Sequence, residues 1–135
     1  MSSLVIGLIL ALLATLSLSD PAGRHLVGDR EVREGNISWA LGYVFKDDPA
    51  IYLNIDWVLN AIARTGGEPE KLVDAYAISA CTLVHEGEHL RLTPDPDHEL
   101  PDLYQYVCLD RLGASAPSKQ TVYDAIYKTA MEKYK

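Results

Sequence analysis

The feature that most constrains this chain is the sequence His85-Glu86-Gly87-Glu88-His89, which follows a long, mostly apolar stretch. Residues four apart lie on one face of an α-helix, so His85 and His89 can both reach one metal ion at about 2.0–2.1 Å. Glu86 lies to their side, where its carboxylate is poorly placed as a ligand but can accept a proton from a metal-bound water. The pattern therefore predicts a zinc site with Glu86 as its general base.

The sequence around the motif favours a metal site over a chance match. Residues 72–84 are apolar on nearly every face, which is typical of a buried central helix. Two histidines and two carboxylates directly after such a helix would be costly to bury without a partner, and a divalent cation is the simplest partner. The alternative is a solvated helix end that carries the motif by coincidence.

A catalytic zinc site usually has three protein ligands and a water, so the motif leaves one ligand to be found. A metzincin would have Gly and His where this chain has Leu92 and Asp95, which excludes that class. The prolines at 94 and 96 predict a turn at 93–97 that returns the next helix against the motif. Acids on that helix are the favoured third ligands. The candidates are Asp102 and Glu99, with Asp110 and His98 as alternatives.

The remaining patterns predict an α+β fold: a predominantly helical single domain with a small antiparallel hairpin packed on the motif helix. The predicted strands are 37–45 and 51–56, joined by a turn, and the predicted helices are 57–64, 69–92, 98–112 and 119–134. Residues 20–36 are polar and Gly-rich and are predicted to be an irregular linker. Gly87 inside the motif helix suggests that a neighbouring backbone approaches closely there.

The apolar segment 4–18 carries no charge and has three interpretations. Its length and the small residues in Ser17-Leu18-Ser19 suit a cleaved signal peptide, although no Lys or Arg precedes it. Several arginines that follow it suit a short membrane anchor, and a buried N-terminal helix is the third alternative. We therefore divide the chain into a signal peptide or membrane anchor at 1–19 and one domain at 20–135, and expect a secreted or membrane-anchored protein.

The composition of the chain limits the classes of partner that it can bind. The chain of 135 residues is 48% hydrophobic, enough for one domain with a real core. A net charge of −7 without a Lys/Arg cluster argues against nucleic acid as a partner. Cys81 and Cys108 are too few for a disulfide scaffold and too far apart for a Cys-x-x-Cys site. They are either free buried thiols or, in an exported protein, a bridge between the motif helix and the next helix.

From about Ile51 to Gly113 the chain resembles the zincin metallopeptidases, and among them the small gluzincin-like enzymes. His85, Glu86 and His89 carry the resemblance. The resemblance implies that the domain at 20–135 is a zincin-like metallopeptidase with a zinc cofactor, a peptide or protein substrate, and an acidic ligand from the helix after the motif. It also implies that the strand at 51–56 forms the edge of the cleft and pairs with the substrate.

We therefore expect a zinc peptidase in which Glu86 takes a proton from metal-bound water and passes it to the leaving amine. An oxyanion donor is also needed, and His98, Tyr104 and Tyr106 are candidates. Two other functions remain open. The first is a non-catalytic, zinc-stabilised, membrane-anchored subunit or binding protein, and the second is a membrane-anchored interaction protein without metal.

Overall fold

Helices make up most of this protein in the computed structural model, which describes residues 1–91 and 98–133. The helices are α1 (Ser3–Ser19), α2 (Pro21–Val27), α3 (Ile55–Arg64), α4 (Pro69–Arg91), α5 (Glu99–Arg111) and α6 (Ala116–Lys133). The strands are β1 (Val32–Gly35), β2 (Gly42–Tyr43) and β3 (Ile51–Asn54). This confirms the predicted α+β single domain. The predicted turn at 93–97 and the predicted end of the last helix at Tyr134 lie outside the described residues.

The strands form one mixed sheet in the order β1-β3-β2. The predicted hairpin is present, because β2 pairs antiparallel with β3 and places Gly42 opposite Leu53. On its other side β3 pairs in parallel with β1. The expectation that the strand at 51–56 forms the edge of the cleft and pairs with the substrate is therefore wrong. Both sides of β3 are occupied, and β1 and β2 form the two edges of the sheet.

The prediction of an irregular linker at 20–36 is also wrong, because the segment contains α2 and β1. The side chain of Asp20 accepts a hydrogen bond from the backbone N–H of Gly23 (3.2 Å) and so caps α2. Pro21 follows it at the start of the helix, where a missing N–H costs nothing. Both elements are too short for their apolar residues to show a period in the sequence.

Helix α4 is the centre of the molecule. It packs against α1, α2, α3, α5 and two strands of the sheet, and Leu83 and Val84 on it are fully buried. A Cβ atom built on Gly87 would lie only 2.6 Å from the carbonyl oxygen of Leu26 in α2. The close approach of a neighbouring backbone, expected from the sequence, is thus confirmed. It fixes the position of α2 against the motif.

Helix α1 places one face in the core. Leu12 and Leu16 are fully buried, while Leu4 and Leu18 are 68% and 85% exposed. This packing corresponds to the third interpretation of segment 4–18, and the signal-peptide and anchor interpretations stay predictions. Over residues 1–91 and 98–133, no helix combines the length and apolar character that crossing a membrane requires.

A disulfide bond joins the motif helix to the helix that follows it. Cys81 of α4 and Cys108 of α5 are bonded, with their Cα atoms 5.6 Å apart, and both residues are fully buried. Of the two alternatives for these cysteines, the bridge is the one found. It ties together the two helices that carry the candidate site.

Candidate metal centre

Three histidine rings converge at one end of α4. Nε2 of His89 lies 3.1 Å from Nε2 of His85 and 3.2 Å from Nδ1 of His98. Nδ1 of His98 lies 3.4 Å from Nε2 of His85, so the three nitrogens form a nearly equilateral triangle. These residues lie close enough together to bind one metal ion.

The size of this triangle matches a tetrahedral metal site. Zinc–nitrogen bonds of about 2.0–2.1 Å at tetrahedral angles separate neighbouring nitrogens by about 3.3–3.4 Å. The observed separations of 3.1–3.4 Å fall close to that value. Three nitrogens would fill three corners of a tetrahedron, and the fourth corner would be left for a water or a substrate oxygen.

The helices explain why these nitrogens meet. His85 and His89 are one turn apart on α4 and therefore project from the same face. His98 is the N-cap residue of α5, and α5 lies against α4 over its length. His85 and His89 are half-buried and His98 is exposed, so the cluster can be reached from solvent.

Two side chains of α5 orient the ring of His85. Its Nδ1 lies 2.9 Å from Oε1 of Gln105 and 3.3 Å from Oδ1 of Asp102. An amide or carboxylate oxygen can only accept, so Nδ1 carries the proton and Nε2 directs a lone pair at the cluster. Burial alone would lower the pKa of His85, but the hydrogen bond to Asp102 and the charges of Glu86 and Asp102 raise it.

Glu86 lies beside the nitrogens without being one of the group. Its Oε1 is 3.9 Å from Nε2 of His85, and the residue is 7% exposed. Burial raises the pKa of its carboxyl group, while the nearby His85 opposes that rise. A buried carboxylate with a raised pKa, next to a cluster that could hold a metal ion, is suited to accept and return a proton.

The sheet edge approaches Glu86 closely. A Cβ atom on Gly42 of β2 would lie 3.3 Å from Cγ of Glu86 and 2.5 Å from Cγ2 of Thr82. Since only a hydrogen fits at this position, β2 can lie directly against α4. The edge strand and the candidate base are therefore neighbours.

The acids that the sequence favoured as third ligand lie elsewhere. Asp102 is buried but contacts the opposite nitrogen of His85, and Glu99 pairs with Lys133 at 2.7 Å. Asp110 pairs with Lys119 at 3.1 Å. Of the four candidates, His98 is the one whose ligand atom meets those of the motif histidines.

The second acid of the motif and two tyrosines proposed as oxyanion donors lie at different depths. Glu88 is fully buried, and its Oε2 accepts a hydrogen bond from Nε of Arg91 at 2.9 Å. Tyr106 packs on the core with its ring 6.3 Å from that of Tyr123, and Tyr104 is 37% exposed.

Sequence reasoning missed Gln105 and Gly42. Gln105 lies three residues after Asp102, so the spacing of same-face positions on α5 was a signal that could have found it. Gly42 gave no signal of its own, because its role depends on how the sheet packs against α4. Comparisons with protein-family profiles, curated proteins and solved structures found no match to this chain.

Proposed function

We propose that this protein is a zinc-dependent peptidase of the zincin type. The observation that carries the proposal is the meeting of three imidazole nitrogens within 3.1–3.4 Å of one another, with the buried carboxylate of Glu86 beside them. This constellation combines a metal-binding face with a general base.

Zinc is the metal that we assign to the cluster. Neutral imidazoles suit zinc as well as copper, iron and nickel, and catalytic zinc sites commonly have three protein ligands in a tetrahedral arrangement. His85, His89 and His98 would hold the ion, and Asp102 and Gln105 would keep His85 in the tautomer that binds it.

Bound zinc supplies a Lewis acid that polarises a carbonyl group and brings the pKa of a bound water close to about 7. Glu86 accepts the proton of the attacking water and delivers it to the departing amine. Burial raises the pKa of Glu86 and so favours the carboxyl form that carries the proton. Tyr104 remains the candidate donor for the oxyanion, because His98 is taken up by the metal.

We assign substrate binding to the outer edge of β2. An extended peptide can add to an exposed sheet edge through backbone hydrogen bonds. In this protein that edge is next to Glu86, at Gly42. The turn before β2 presents Trp39, which is 84% exposed, to an apolar side chain of the peptide.

The disulfide supports the proposal that the protein is exported. Disulfide bonds persist in oxidising compartments and are rare in the reducing cytosol. The bond between Cys81 and Cys108 therefore fits a secreted or membrane-anchored protein. In the anchored form, residues 4–18 would associate with the membrane.

The second candidate is a zinc-stabilised binding protein without catalysis. It is favoured by the position of His98, because a metal held by one residue of α5 and two of α4 would lock the two helices together. In such a protein Glu86 would be incidental, and its replacement would change nothing but stability.

The test compares zinc-loaded wild type with Glu86→Gln on a library of peptides, with cleavage detected by mass spectrometry. We expect the wild type to cleave peptides, and Glu86→Gln to bind zinc equally well but cleave at least about 100-fold more slowly. Glu132→Gln, which alters an exposed carboxylate of α6, is the control and should cleave like the wild type. Cleavage by Glu86→Gln at the wild-type rate, or none by a zinc-loaded wild type, would refute the peptidase proposal.

A further inference from the structure

The disulfide and the candidate metal centre are successive links between α4 and α5. Cys81, His85 and His89 follow one another at intervals of four residues along α4, so they share one face. Opposite them on α5, Cys108 is bonded to Cys81, Gln105 contacts His85, and His98 contacts His89. The observed contacts are the Cys81–Cys108 bond, the 2.9 Å distance from His85 to Gln105, and the 3.2 Å distance from His89 to His98.

These contacts between α4 and α5 follow one another along the two helices without a gap. Cys108, Gln105 and Asp102 are spaced by three residues along α5 and form one stripe toward α4. The disulfide bond lies one turn before His85 on α4 and one turn after Gln105 on α5. It therefore sets the register of the two helices next to the place where their histidines must meet.

The bridge also closes the part of the chain that carries the centre. Its two cysteines are 27 residues apart, and every residue of the cluster, with Glu86, Asp102 and Gln105, falls between them. Closing such a loop removes conformational freedom that the ligands would otherwise lose when they gather around an ion. A ligand set that is already gathered binds its metal more tightly.

We infer that the Cys81–Cys108 disulfide is a positioning element of the metal centre, so that the metal affinity of the protein depends on its oxidation state. The protein acquires its full affinity once the bridge forms in an oxidising compartment. This inference rests on the metal centre of the proposed function but not on peptide cleavage. Export to an oxidising compartment would therefore raise the affinity of the protein for its metal.

The redox step balances without the metal. Two thiols lose two protons and two electrons to a disulfide oxidant when the bridge forms. A phosphine reductant reverses the reaction: phosphorus attacks one sulfur, the S–S bond breaks, and water supplies the oxygen of the phosphine oxide while both sulfurs become thiols. Since coupling between two equilibria is reciprocal, bound zinc must also favour the oxidised form.

The first test measures zinc affinity by competition with a chelating dye, in wild type and in the double variant Cys81→Ala/Cys108→Ala. Alanine is chosen because free thiols would themselves bind zinc. We expect the double variant to bind zinc at least about tenfold more weakly, within the usual range of coupling between sites. The matched control is Leu109→Ala, which removes a buried side chain of α5 beside Cys108.

The control separates positioning from general stability. Loss of a buried leucine side chain and loss of a disulfide each destabilise a small domain by comparable amounts. At a temperature at which both variants are folded, Leu109→Ala should keep its zinc affinity within about threefold of wild type. An equal loss in both variants, or wild-type affinity in the double variant, would overturn the inference.

The second test uses the unaltered protein and does not depend on the folding of a variant. Both cysteines are fully buried, so a phosphine reaches the bridge only when α4 and α5 separate. With zinc at about 100 times its Kd, the separated population should fall, and reduction should slow at least about tenfold. His89→Ala is the control in which zinc should not slow the reduction.

The outcomes separate this inference from the proposed function. A wild type that binds no zinc overturns both. A wild type that binds zinc, protects its bridge and yet cleaves no peptide refutes the peptidase but supports the inference. Equal reduction rates with and without bound zinc overturn the inference and leave the peptidase proposal standing.

Discussion

Gly87 and Gly7 both lie inside helices, and replacing each of them by alanine should have opposite effects on stability. At Gly87 of α4, an added Cβ atom would lie 2.6 Å from the carbonyl oxygen of Leu26 and 3.1 Å from the backbone nitrogen of Val27. At Gly7 of α1, an added Cβ atom would meet nothing within 4 Å. The two sites share the helical conformation and differ in the space beside it.

The magnitudes follow from two competing terms. Alanine favours a helix over glycine by about 1 kcal/mol, and this gain applies at both positions. At Gly87 the atoms in the way belong to the backbone of α2, which would have to retreat by about 0.8 Å to reach ordinary contact. Overpacking of this kind costs about 1–3 kcal/mol, and a backbone cannot rotate aside, so we take the upper half of that range.

The balance at Gly87 is then a loss of about 1–2 kcal/mol, after the helix term has offset part of the overpacking cost. For a domain of this size a loss of 1 kcal/mol lowers Tm by about 3–5 °C, so Gly87→Ala should melt roughly 3–10 °C below wild type. Gly7→Ala should gain up to about 1 kcal/mol and melt up to about 4 °C above wild type.

The assay is thermal unfolding followed by circular dichroism, with protein freed of metal so that zinc binding does not enter the comparison. Gly87→Ala with a Tm equal to or above that of wild type would refute the close packing of α2 against the motif. A loss of stability in Gly7→Ala would instead show that residue 7 is not in a helix with an open side.

Three further predictions concern the centre itself. Gly42→Ala should reduce the rate of peptide cleavage at least about tenfold without changing zinc affinity, because its Cβ atom would press on Thr82 and Glu86 and displace the base. Asp102→Ala should weaken zinc binding about 10- to 100-fold in a dye-competition titration, whereas Asp102→Asn, which keeps an accepting oxygen for His85, should weaken it less. Removing zinc with a chelator, from a solution at about 100 times its Kd, should lower the Tm of wild type by about 8–13 °C and leave that of His89→Ala unchanged.

The sequence was sufficient to predict features that depend on one continuous segment of the chain. The span of α4 is within one residue of its prediction, because a long apolar segment with Pro69 at its start and the motif at its end carries a clear helical pattern. The pairing of His85 with His89 depends only on the geometry of one helix. β1 and α2 were missed because four and seven residues are too few to show a period.

The third nitrogen of the cluster, that of His98, could not be predicted from patterns within a single helix. The sequence predicted that the helix after the motif would fold back and bring a donor, and α5 does so. Which donor arrives depends on the register of α5 against α4, and one turn of helix separates His98 from Asp102, a distance of about 6 Å along the axis. The pattern of apolar residues within either helix does not determine how α5 is aligned against α4.

Asp102 does contact His85, but at Nδ1, while His98 lies near Nε2 on the other side of the ring. The predicted acid would therefore act on a bound metal ion through the imidazole, by holding the proton on Nδ1. The covalent bond between Cys81 and Cys108 fixes the same register that decides between these two residues. A shift of α5 by one turn would bring Asp102 to the place that His98 occupies, so the position of the disulfide also determines which residue is the third ligand.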